Sequence, residues 1–149
     1  MTLQKGDKAP LFMGINQNGK EISLSEFKGK KVILYFYPKD NTSGCTAEAC
    51  SLNDKSEYFL YHGFVIIGVS PDSVESHRKF GEKYNLNFNL ISDPEKVIIK
   101  QYGAWGVRKD GSEGLLRTTF IIGDDGLIEQ VIPKVDTANH AEQIIELLK

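Results

Sequence analysis

Two uninterrupted apolar runs constrain this chain more than anything else in it. Lys31 to Tyr37 (KVILYFY) and Phe64 to Val69 (FVIIGV) consist almost wholly of β-branched, aromatic and aliphatic residues, with no polar alternation. A strand without a polar face is buried on both sides, as in a sheet covered by helices. Pro38 ends the first run, and Gly44 to Tyr61, between the two, is helix-like. Strand, helix and strand in that order imply a parallel pair with a right-handed crossover.

The rest of the chain supplies a second half of different character. Asp72-Ser-Val-Glu75 reads as a capping box opening a helix to about Tyr84. Asn89 to Ile91 is a short strand, and Asp93-Pro94 offers an N-cap and a first-turn proline for a short helix stopped at Gly103. Thr118 to Ile122 and Leu127 to Ile132 flank Gly123-Asp-Asp-Gly126, an antiparallel hairpin. A last helix covers about Ala138 to Leu148, and Phe12 to Leu24 adds a small hairpin around Asn18-Gly19. The expected class is α/β, a thioredoxin-like fold: a central mixed sheet flanked by helices, with an N-terminal hairpin extension. The 149 residues suit a single domain, 1–149, without repeats or linkers.

Charge and composition narrow the functions. The net charge is −2, with acids and bases interspersed, which argues against nucleic acid or a membrane surface as partner. MTLQKGDKAP lacks the apolar stretch of a secretory signal, and no apolar run approaches the ~20 residues of a membrane span, so the cytoplasm is the expected location. No phosphate-binding glycine pattern is present, and two cysteines without a histidine at finger spacing do not suggest zinc; neither cofactor nor metal is expected. His62, His77 and His140 are scattered and read as surface or capping residues, and the Lys/Glu-rich helix faces read as solvated.

The chemistry rests on Cys45 and Cys50, the only cysteines. In a reducing compartment such a pair is catalytic, redox-active or metal-binding more often than a structural bridge. Thr42 can be N-cap of the helix, which makes Ser43 N1, Gly44 N2 and Cys45 N3. First-turn N–H groups lack helical partners and carry partial positive charge, and a thiol there loses its proton more readily than a free one. Taken alone, Cys45 can equally be a small buried apolar residue, and Arg117, at a strand start, an ordinary surface group.

Pro38-Lys-Asp-Asn-Thr42-Ser-Gly-Cys45 resembles the peroxiredoxin active-site pattern, and YFYPKDNTSGCTAEAC is similar to the bacterioferritin comigratory protein or peroxiredoxin Q subfamily, whose second cysteine stands five residues on, as Cys50 does. The resemblance extends to Gly6-Asp-Lys-Ala-Pro10, Tyr102 to Gly106, and Leu116 to Ile122, the strand that brings the family's arginine. One departure is Ser43, where the family usually has proline. The resemblance implies a peroxidase acting on hydrogen peroxide and organic hydroperoxides. Cys45 would be the attacking thiolate and Cys50 the resolving thiol. Thr42, Arg117 and the Cys45 N–H would donate to the departing oxygen, and Pro38 would shield the pocket. It also implies thioredoxin or a similar dithiol as reductant, and a monomer. A thiol–disulfide oxidoreductase on the same fold would want C-x-x-C rather than this spacing. A non-catalytic redox sensor would not need Thr42 or Arg117.

Overall fold

The computed structural model describes residues 3–149; the Met1 and Thr2 of the expected domain lie outside it. The first apolar run becomes strand β3 (Lys31–Phe36), the second β4 (Phe64–Ser70), and they pair in parallel from Lys31↔Phe64 to Phe36↔Val69. The sheet is completed by β1 (Met13–Ile15), β2 (Glu21–Ser23), β5 (Asn89–Ser92), β8 (Thr118–Ile122) and β9 (Ile128–Ile132). The strand order is β2-β1-β5-β4-β3-β8-β9. Pairing is parallel at β5-β4-β3 and antiparallel elsewhere, the expected mixed sheet.

Period-two alternation along β3 explains its unbroken apolarity. Val32, Leu34 and Phe36 point into one core with Phe12, Leu24, Ile98 and Tyr102. Ile33, Tyr35 and Tyr37 point into another with Cys45, Leu52, Phe80 and Ile144. Each core is closed by helix or turn, so every β3 side chain from Val32 onward is buried. The second core is covered by α1 (Ser43–Asp54), α2 (Ser56–Tyr61), α3 (Val74–Tyr84) and α5 (His140–Leu147). The first is covered by the turn at Leu24–Phe27 and by α4 (Val97–Gln101).

The structure corrects three local expectations and adds one element. The helix expected over Gly44 to Tyr61 is broken at Lys55 (φ −108°, ψ 13°). Asn53 and Asp54 are weak helix formers, and the Asn53 side chain ties the break to the chain after α3: it donates to the Asn85 carbonyl and accepts from the Asn87 N–H. Ser73, not Asp72, caps α3 by accepting from the Ser76 N–H. Asp93-Pro94 does not start α4: residues 93–96 form a turn closed by the Lys96 N–H on the Asp93 carbonyl, a turn that favours proline at its second position. The Asp93 carboxylate still accepts from the Val97 and Ile99 N–H groups beyond that turn. Finally, β6 (Trp105–Val107) and β7 (Glu113–Leu115) form a separate two-stranded hairpin that the sequence did not announce. Its strands are three residues each, too short for periodicity to register.

One glycine fixes the relation of β3 to β4. Gly68 stands opposite Tyr35 in the parallel register. A Cβ there would lie 2.8 Å from Tyr35 Cζ and 2.9 Å from its hydroxyl oxygen. The Tyr35 ring cannot easily retreat, being stacked on Tyr37 at 5.4 Å and set edge-on to Phe88 at 6.0 Å. Gly68→Ala is therefore expected to destabilise the protein by about 1–3 kcal/mol, the usual cost of overpacking, read as a lower denaturant midpoint. An unchanged midpoint would show that the ring has room to move.

Candidate active site

Strand β3 ends against a short loop, Tyr37 to Thr42, that delivers α1 at the C-terminal edge of the sheet, where open α/β sheets place their sites. Thr42 has extended backbone (φ −87°, ψ 158°) and its carbonyl accepts the first helical bond, from the Thr46 N–H, at 2.8 Å. Cys45 is thus the third helical residue, 1% exposed. The Thr42 side chain makes no cap bond; its hydroxyl donates instead to the Lys39 carbonyl at 3.0 Å. The first-turn N–H groups of α1 therefore keep their partial positive charge beside Cys45 without a side-chain acceptor.

Arg117 immediately precedes β8, and the antiparallel register Phe36↔Thr118 brings it over the end of β3. Its Nη2 donates to Cys45 Sγ at 3.1 Å, and its Nη1 donates to Glu48 Oε1 at 2.9 Å. The sulfur is an acceptor in this contact, the role a thiolate fills better than a thiol. Arg117 comes this close because Gly44 has no side chain: a Cβ at residue 44 would sit 2.9 Å from Nη2. Pro38 lies half-buried at the start of the same loop.

Two residues of this cluster were passed over in the sequence. Glu48 follows Cys45 by three positions, so both occupy one face of α1; that spacing was the available signal. The Glu48 side chain is fully buried. Burial, opposed by the charge of Arg117, raises its carboxyl from an ordinary 4.5 to about 7. Its Oε2 has no hydrogen-bond partner among the described residues and lies 3.6 Å from His140 Nε2.

His140 is the other. The expectation of surface or capping histidines holds for His62, which is exposed, but His77 and His140 are 0% exposed. Burial was legible in neither, because it depends on partners distant in sequence. Gln143 donates through Nε2 to the Lys134 carbonyl, so its Oε1 is the acceptor facing His140 Nδ1 at 2.8 Å. His140 Nδ1 then carries the proton, and Nε2 accepts from the Thr119 hydroxyl at 2.7 Å. Burial, the largest influence, pushes the His140 pKa down and favours this neutral form. A neutral imidazole offers Glu48 no countercharge, which leaves Arg117 as the carboxylate's one cationic neighbour among the described hydrogen bonds and ion pairs.

Cys50 is half-buried on the same unbroken helix, and both cysteines are free thiols. Burial, followed by the charge of Asp54, pushes the Cys50 thiol up. Ser51, its neighbour, accepts from the Ala141 N–H at 3.0 Å and fastens the middle of α1 to α5. A sulfur at a helix start that accepts from an arginine, itself paired with a buried carboxyl, is an arrangement suited to chemistry at sulfur.

Residues 5–131 match the AhpC/TSA family. The chain belongs to that family. It is a peroxiredoxin, an oxidoreductase of the peroxidase class, with the thioredoxin-like fold expected of it. It is 43% identical to peroxiredoxin Bcp of Bacillus subtilis, across 100% of this chain and 97% of that one. Identity to peroxiredoxin Bcp of Escherichia coli K12 is 38%, covering 99% and 96%. Among solved structures, a cysteine-to-serine mutant of Xylella fastidiosa PrxQ superposes with a TM-score of 0.93 at 29% identity, over 99% of this chain and 96% of that one. The Xanthomonas campestris bacterioferritin comigratory protein, whose trapped intermediate/ligand complexes bear on alkyl peroxide reduction, gives 0.86 at 31%, over 92% and 89%. Among the described residues of this peroxiredoxin, no helix is long and apolar enough to cross a membrane.

The buried carboxyl predicts a pH signature. Between about 4.5 and 7 the native protein holds a Glu48 proton that the unfolded chain has released, so this group's contribution to stability falls as pH rises through that window. The loss is on the order of 3 kcal/mol, and Glu48→Gln should remove it. Denaturant unfolding of both proteins at pH 5 and pH 7.5 checks this: the variant should gain on the parent by that order. A gap independent of pH would show Glu48 ionised throughout.

Proposed function

We propose that this peroxidase reduces hydrogen peroxide and organic hydroperoxides through Cys45, with Cys50 as resolving thiol and thioredoxin or a similar dithiol as reductant. The observation that carries the reading is the Arg117 guanidinium on Cys45 Sγ at the N-terminus of α1. The Cys45 thiolate attacks one peroxide oxygen, the O–O bond breaks, and the departing oxygen takes its electron pair and a proton to leave as water or alcohol. Cys45 is left as sulfenic acid. Negative charge grows on the departing oxygen, so fixed donors act more strongly there than on the ground state. Arg117 and the uncapped Cys45 N–H supply them. Thr42 takes a different part from the donor role suggested by resemblance. Its proton is committed to the Lys39 carbonyl, so the hydroxyl presents lone pairs and accepts the peroxide O–H. Pro38, half-buried at the loop's start, limits water.

The Cys50 thiol then attacks the sulfenic sulfur, a disulfide forms and water leaves. Helix geometry opposes this while α1 is intact. Five helical positions separate Cα atoms by roughly 8.7 Å and turn the side chains about 140° apart, whereas a disulfide needs Cα atoms within about 7 Å. The first turns of α1 therefore unwind before the bond forms. Unwinding frees Cys50 from the burial that holds its thiol protonated and exposes the disulfide to the reductant, which reopens it by exchange. The chain acts as a monomer.

Peroxide consumption coupled to thioredoxin and its reductase tests the assignment. Cys45→Ser should abolish turnover with the fold intact. Arg117→Ala and Thr42→Val should each slow Cys45 oxidation in stopped flow by tenfold or more: the first removes a preorganised donor, worth roughly 3 kcal/mol, and the second removes the acceptor that holds the peroxide O–H. Turnover retained in Cys45→Ser would sink the reading. Rates within twofold of the parent for the other two would make them structural. Amide exchange should rise across residues 42–52 when Cys45 and Cys50 are oxidised, and identical exchange in both redox forms would exclude unwinding.

A further inference from the structure

The loop that positions Cys45 is itself fastened by a buried polar group on the opposite side from Arg117. Asp40, 7% exposed, is its centre. Asp40 Oδ1 accepts from the Tyr37 hydroxyl at 2.6 Å, and Oδ2 accepts from the Ser76 hydroxyl at 2.8 Å and faces His77 Nδ1 at 2.7 Å. The Asp40 N–H donates to Asp72 Oδ2 at 2.7 Å, and Asp72 Oδ2 also accepts from Ser70. His77 is fully buried, and its Nε2 faces the Ile91 carbonyl at 3.0 Å. A carbonyl only accepts, so Nε2 carries a hydrogen; the short Nδ1 contact then needs a second proton, shared between imidazole and carboxylate.

Asp40, Asp72 and His77 stand close enough to suggest a metal site. Their facing atoms are already engaged with Tyr37, Ser70, Ser76, Ile91 and the Asp40 N–H, so the group serves the protein itself. What it holds is a loop. Asn41, next in sequence, is left-handed (φ 62°), and its Oδ1 accepts from Lys83 Nζ and the Tyr84 hydroxyl at the far end of α3. Thr42, the N-cap, follows at once. The start of α1 is thus docked on α3 through Asp40 and Asn41, while its own first turn has no side-chain cap.

We propose that Asp40 and His77, with Tyr37 completing the group, are positioning residues that hold the start of α1 in its folded form and so set how often it unwinds. The proposal rests on the unwinding reading above for its link to the disulfide, but the latch itself is a property of the reduced protein. Loss of one hydrogen bond to the buried carboxylate shifts a local equilibrium by about tenfold. The shift falls on the loop and first turn when the Tyr37 ring, part of the core on one side of β3, is kept and only its hydroxyl bond to Asp40 is lost.

The test uses Tyr37→Phe, which keeps the ring and removes one bond, and Asp40→Asn, which removes the charge at constant size. In reduced protein, amide exchange across residues 38–46 should accelerate about tenfold in Tyr37→Phe and further in Asp40→Asn, while β8 and α5 exchange as in the parent. After rapid oxidation, disulfide formation should accelerate by a similar factor, with Cys45 oxidation changed less than twofold in Tyr37→Phe. Should Asp40→Asn fail to fold, Tyr37→Phe and Ser76→Ala carry the same comparison. Unchanged exchange over 38–46, or acceleration spread evenly over the chain, would overturn the latch. Faster exchange with unchanged disulfide formation would overturn its control of resolution. A parent protein that forms no Cys45–Cys50 disulfide would overturn the resolving role of Cys50, and with it that control, while the exchange result still decides whether Asp40 pins the helix start.

Discussion

The site is organised around a guanidinium shared between a sulfur and a carboxyl. Among the described hydrogen bonds, Arg117 joins Cys45 to Glu48, and strands β3 and β8 and helix α1 together bring the three side chains into contact. Strand β8 must run antiparallel beside β3 to present Arg117 over the strand end. Helix α1 must already be formed at Cys45 for Cys45 and Glu48 to share a face. A buried carboxylate is costly unless paired, and Glu48 meets that cost partly through Arg117 and partly by holding a proton to about pH 7.

Around this contact the protein keeps its second polar layer neutral. His140 is a hydrogen-bonded neutral imidazole, and burial, with Glu48 and Cys45 next in effect, holds the Tyr35 phenol well above its ordinary range. Arg117 is the cation that remains beside the sulfur. In a low-dielectric surrounding a lone charge is felt strongly by its neighbours and weakly screened, so its influence is concentrated on the Cys45 sulfur.

Legibility in the sequence followed the range of the interactions. The parallel β3–β4 pair, the β8–β9 hairpin and the helix start at Thr42 rest on local pattern and were all foreseen. The break at Lys55 was not, because it is stabilised by Asn53 reaching to Asn85 and Asn87. The burial of His77 and His140 was not, because their partners lie on other elements. Arg117 was found only through the family pattern; nothing in its own neighbourhood distinguishes it from a solvated arginine. Glu48 was within reach, three residues from Cys45, and was lost among acids that do face water.

Gly44 shows how closely stability and chemistry are opposed in this fold. Glycine within a helix is less stable than alanine by up to about 1 kcal/mol, so selection for thermal robustness alone would replace it. Every replacement carries a Cβ, and that atom would meet the arginine's terminal nitrogen at 2.9 Å. A screen that rewards only melting temperature would therefore drift toward hardier proteins whose guanidinium has been moved off the sulfur. The residue is invisible to any search for functional groups, since it contributes none, yet it marks the trade-off point of the design.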